Sequence, residues 1–236
     1  MYFKQPSIYI FDIRIDEPIT SLTAVMVAGV CFYAFIALSK IPIQNKIHLY
    51  LRFYFLFMAI ATAIGGIIGH AFLYQFSFAW KLPGWITSMF SIALIERAAI
   101  EYARPHISQK LSTIFKWANL IELTIFVTVT IIAMKFIFVE VHSAYGLMIV
   151  VSSLNFYIYL KEKSQGSKFF LIAVGFSAIS AIIFMNQWGI CQWFTHSDIS
   201  HIFMVISASF FYIGARHIIN NPGKFRYLQS NGAKIL

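Results

Sequence analysis

The sequence predicts an all-α, polytopic membrane protein: a bundle of seven transmembrane helices with the N-terminus outside and the C-terminus cytoplasmic. Three observations carry this. Apolar residues make up 59% of the 236 positions and charged residues 11%, against roughly a quarter charged in ordinary globular domains. The 25 Phe, 12 Tyr and 5 Trp, with a mean hydropathy of +0.74, suit a surface whose solvent is lipid. Seven spans of about 22 residues use roughly 154 positions. What remains is enough for short loops and two tails, which excludes a large extramembrane domain, a Rossmann or P-loop domain and a disordered regulator.

The elements follow in chain order. Residues 1–19 form an outer segment, in which residues 11–16 alternate apolar and charged side chains as a short extended stretch does. Residues 20–219 hold the spans, each an apolar run broken by charge, Pro or Gly. The first covers residues 20–39 and stops at Lys40-Ile41-Pro42. The second covers 53–76, and the third covers 84–103, before Arg104-Pro105. The fourth covers 117–138, with Lys135 snorkelling near its end. The fifth covers 141–160 and is set off from the fourth only by Glu140 and His142. The sixth covers 169–190. The seventh covers 197–219, before Asn220-Asn221-Pro222-Gly223, and residues 220–236 form a cytoplasmic tail. Two cysteines are too few for a disulfide framework, and no cleavable signal peptide precedes the first span.

Orientation comes from Lys and Arg in the connections. Thirteen fall on one side: Lys40, Lys46, Arg52, Arg104, Lys110, Lys116, Lys161, Lys163, Lys168, Arg216, Lys224, Arg226 and Lys234. Four fall on the other: Lys4, Arg14, Lys81 and Lys135. The same bias accounts for the net charge of +9 without a nucleic-acid partner. The expected surroundings are a lipid bilayer, the bacterial inner membrane, with a protein partner or second copy as a further contact.

Ionisable groups inside a span are costly, so each needs an account. His70 near the outer end of the second span, Ser88 and Ser91 in the third, Glu140 and His142 opening the fifth, Asn186 and Gln187 closing the sixth, and His196, Asp198 and His201 opening the seventh all fall in one outer-leaflet layer. Asp198 and His201 are three apart on a helix and can face one point. With His70 they offer a His/His/carboxylate set whose fourth position is open to water, as in a catalytic zinc site. His196 is an alternative ligand or proton shuttle, and Ser88 or Ser91 a candidate oxyanion donor. The structural alternatives are an intramembrane His bonded within the bundle, an Asp198 that caps the seventh helix, and serines bonded to their own helix backbone. Glu140 and His142 read as interfacial loop residues. Deeper in, Arg97 and Glu101 read as an i,i+4 pair within reach of Glu122, forming a structural ion-pair network.

On these residues the chain resembles the superfamily of seven-span hydrolases that contains alkaline ceramidases and the progestin and adipoQ receptors. The resemblance rests on span number and order, on His70 late in the second span and on His201 early in the seventh. It implies zinc-dependent amide hydrolysis of a lipid, and the depth of the polar residues extends the expectation to a lipid amide or ester at the outer-leaflet end of the bundle. Three positions depart from the family pattern. The seventh span reads His196-Ser197-Asp198-Ile199-Ser200-His201 in place of two His four apart, Gly66 stands where the family has a Ser, and the third span has no early Asp. A non-enzymatic membrane subunit, receptor or assembly partner is the competing reading. The absence of Lys between residues 197 and 219 excludes a typical retinal Schiff base.

Overall fold

The computed structural model describes residues 5–43 and 45–221. Lys4, Lys224, Arg226 and Lys234 of the charge count, and the tail from residue 222 on, lie outside the described residues. The alternating stretch 11–16 is not extended throughout: it supplies the turn and second strand of an antiparallel hairpin, β1 (Ile8–Ile10) and β2 (Ile13–Ile15), in the register Ile8–Ile15, Tyr9–Arg14, Ile10–Ile13. Its two-residue turn places Phe11 and Asp12 at φ 48° and 63°, the mirror-image turn whose twist matches that of the paired strands.

Seven helices long and apolar enough to cross a membrane follow: α1 (Pro18–Ser39), α2 (Lys46–Ala71), α3 (Phe78–His106), α4 (Gln109–Ala133), α5 (Ile137–Glu162), α6 (Gln165–Met185) and α7 (His196–Asn220). Several begin before their apolar run because a polar cap starts them. Asn45 accepts from His48 N at 3.0 Å and Ser108 from Leu111 N at 3.2 Å, so α2 and α4 open seven and eight residues earlier than hydropathy suggests.

Two boundaries differ in kind. The break between α4 and α5 is at Met134, which takes a left-handed conformation (φ 53°) while its N–H returns to Thr130 O. Lys135 therefore sits in the connection rather than in a span, and Glu140 and His142 belong to α5. The sixth helix stops at Met185, where Asn186 Nδ2 bonds Ile182 O and Gln187 turns to φ 55°. Residues 186–195 are a loop with a Cys191–Phe194 bridge.

The helices close a ring. α1 packs on α2 and α7, α2 on α3, α3 on α5, α5 on α6, and α6 on α7. α4 stands outside the ring against α3 and α5, with Ile121, Ile125 and Ile132 exposed. Leu38, Leu51, Phe55, Ile95, Val151, Phe170 and Phe211 fill the core. Gly66 lets α2 close on α1, since a Cβ there would lie 3.0 Å from Ser21 O and 3.1 Å from Ala24 Cβ. α2 and α5 each include a π-helical stretch, Gly65–Ala71 and Tyr145–Val151. Such widened turns frequently mark functional positions.

Candidate functional site

His70 lies in the π-helical end of α2, which is tied to the end of the hairpin by hydrogen bonds. Asp16 N donates to Ala71 O at 3.0 Å, Tyr74 Oη donates to Arg14 O at 2.9 Å, and Arg14 pairs with Asp16 at 2.7 Å. This places Glu17, the residue before α1, with its carboxylate 2.5 Å from His70 Nδ1. That bond to His70 holds the Glu17 carboxyl below the usual carboxylate range.

His201, in the second turn of α7, meets α1. Its Nδ1 is 3.0 Å from Thr23 Oγ1. The Thr23 hydroxyl already donates to Thr20 O at 3.1 Å, so toward the ring it accepts and His201 Nδ1 carries the hydrogen. A carboxylate also accepts, so His70 Nδ1 carries one too. In each ring Nε2 is then the atom left for a ligand. The two rings stand edge to face with centroids 6.1 Å apart, which brings together the two histidines predicted to converge.

Both rings line a cavity of about 370 Å³ inside the ring of helices. Lys81, Ser88 and Glu140 join them near the end where α3 begins and α6 stops. Below this polar end the walls are mostly apolar, with Met58, Ile92, Leu147 and Met204 among them. From His201 to Ala208, both lining residues, the wall runs about 10 Å at about 1.5 Å per residue.

The other predicted ligands go elsewhere. Asp198 is fully buried, and both of its oxygens are engaged. Oδ1 accepts from Thr20 Oγ1 at 2.7 Å, and Oδ2 from Thr195 N at 2.5 Å, Thr195 Oγ1 at 2.8 Å and Gln5 Nε2 at 3.3 Å. With Thr195 it forms the capping box that starts α7. Gln5 in turn accepts from Ile19 N and Thr20 N through Oε1, so one network fastens the N-termini of α1 and α7. His196 packs its ring on Phe184 with centroids 5.3 Å apart and does not join the cavity. Ser88 bonds Trp85 O in its own helix. Ser91 is buried and bonds Tyr54 O of α2 rather than its own backbone. A zinc site built on His70 and His201 therefore has two donors in place but lacks the carboxylate the sequence offered, and the residues present do not complete that set.

The inner charges also pair differently from the sequence expectation. Glu101 pairs with Arg104 and Lys116, while Arg97 Nε donates to Asn119 Oδ1 at 2.6 Å. Glu122 reaches His142 Nδ1 at 2.5 Å instead of Arg97. His142 is not an interfacial loop residue: it is fully buried, between α3 and α4. Among the described residues, Glu96, Glu122 and His142 form a group whose ligand-type atoms all lie within 4.8 Å of one another. The sequence held the signal in the three residues themselves, but their shared depth was concealed by the misplaced start of α4 and the misplaced break before α5.

A family model described as a family of unknown function (DUF6962) matches residues 19–220, the whole helical bundle. No curated protein and no solved structure matches the chain.

Proposed function

This chain belongs to a family of unknown function, DUF6962, and we propose that it is an integral membrane protein that binds an amphiphile inside its helix bundle. The observation that supports this reading is the cavity: apolar walls, with His70, His201, Lys81 and Glu140 gathered at one end. Its volume, about 370 Å³, falls in the range of small-molecule sites, about 300–1,000 Å³.

Selectivity in such a site rests on the polar end. A lipid tail that leaves the bilayer for the cavity moves from one apolar medium to another, so its burial adds little driving force. The head group is what Lys81 and the two imidazole Nε2 atoms discriminate. A carbonyl, carboxylate or phosphate oxygen accepts from the Lys81 ammonium, and a hydroxyl or amide N–H donates to an imidazole. The Lys/Arg bias of the connections supports an outer-leaflet position for this end of the cavity. This is the receptor-type reading of the chain. The Nδ1–H bonds from His70 to Glu17 and from His201 to Thr23 fix the tautomer that leaves each Nε2 free to accept from a head group.

The test is extraction and mass spectrometry of amphiphiles that remain with the detergent-purified protein. The expected result is one chemical class enriched over the bulk lipid, depleted in Ser88→Phe, which puts a bulky ring at the polar end of the cavity. Recovery of bulk lipid composition from the wild-type chain would contradict binding. Zinc-dependent release of a cleaved lipid would replace it with hydrolysis.

A further inference from the structure

We propose that Glu96, Glu122 and His142 form a second site, separate from the cavity, which holds one divalent transition-metal ion within the bundle. They come from α3, α4 and α5, and none of the three lines the cavity. Their candidate ligand atoms lie within 4.8 Å of one another. An ion with bonds of about 2.0–2.2 Å spans that group once the wider separations close and the 2.5 Å His142–Glu122 pair opens, each by side-chain shifts on the order of 1 Å.

The donor chemistry is already arranged. His142 Nε2 is 3.1 Å from Met89 O, and a carbonyl only accepts, so Nε2 carries the hydrogen. Nδ1 then presents a lone pair to Glu122 Oε1, 2.5 Å away. Two acceptors at that distance need a cation, either a proton or a metal. An imidazole oriented by a backbone carbonyl on its far nitrogen is the arrangement that metal-binding histidines use.

Glu96 is fully buried and is positioned by a relay. Its Oε2 accepts from Asn119 Nδ2 at 3.2 Å, and Asn119 Oδ1 accepts from Arg97. Glu96 Oε1 and Glu122 Oε2 are buried and have no hydrogen-bond partner among the described residues. A proton shared by Glu122 and His142 satisfies neither atom. A dication satisfies both and cancels two carboxylate charges in a medium that tolerates them poorly. Room for the Glu96 carboxylate comes from Gly146 in the π-helical stretch of α5, where a Cβ would overlap Glu96 Oε1. One imidazole nitrogen with two carboxylates suits Zn²⁺, Mn²⁺ or Fe²⁺ better than a soft ion such as Cu⁺.

The proposal does not depend on the amphiphile site. Full-length protein in detergent is stripped with a chelator, reloaded with Zn²⁺ alone or Mn²⁺ alone, desalted and assayed for metal. The expected result is one ion per chain, lost in Glu122→Gln and Glu96→Gln and retained in His70→Ala. X-ray absorption on the loaded wild-type protein should show a single imidazole among oxygen donors. A wild-type chain that takes up no ion overturns the proposal, and so does an ion that survives both glutamine substitutions or is bound by two imidazoles. The wild-type measurements stand by themselves if a variant fails to fold.

Discussion

A carboxylate three residues into a helix can serve the backbone or a metal, and at Asp198 the backbone and its neighbours take both oxygens. The sequence offered both roles, and nothing in residue order could decide between them, because two of the partners, Gln5 and Thr20, are remote in sequence. Asp198→Ala leaves the Thr195 N–H and the Thr20 hydroxyl buried without that acceptor. The expected loss is about 1.5–3 kcal/mol, the scale of a hydrogen bond to a charged group, seen as a lower melting temperature in detergent with the bound amphiphile retained. Normal stability with loss of the amphiphile would mean that Asp198 acts in the cavity instead. His142 and Glu122 were misjudged for a simpler reason. Starting α4 at residue 117 rather than at Gln109 moves Glu122 about 12 Å along the helix axis, eight residues at about 1.5 Å each, and so hides its meeting with His142.

At the scale of elements, the spans were legible wherever an apolar run dominated, and the errors lie in their polar first turns and in ends such as Met134 and Met185, where apolar residues run on past the helix. Asn45 and Ser108 start helices ahead of the apolar residues that hydropathy detects. The π-helical stretches left no comparable trace, because a widened turn is selected by what packs beside it. Gly66 is one such contact. Gly66→Leu drives a side chain into Ser21 O and Ala24 of α1, and overpacking of this kind costs about 1–3 kcal/mol. Gly29→Leu is the control, since a Cβ at Gly29 meets nothing within 4 Å. Thermal unfolding of the pair should show Gly66→Leu destabilised and Gly29→Leu near wild type. Equal stability would refute the close α1–α2 packing.

For the whole molecule, seven long apolar helices were readable because each carries an apolar run long enough to cross a bilayer, which hydropathy detects directly. The convergence of His70 and His201 was readable as well, since alternating span direction returns both to one end. The cavity that both line was not: it depends on how far apart the helices stand, which hydropathy does not encode. Binding within that cavity is the central claim, and photolabelling tests it most directly. An amphiphile carrying an alkyl diazirine, activated on the purified protein, should label peptides of α2, α5 and α7 at lining positions such as Met58, Leu147 and Met204, with less label in Ser88→Phe. Label confined to outward positions such as Ile121, Ile125 and Ile132 of α4, and unchanged in Ser88→Phe, would contradict it.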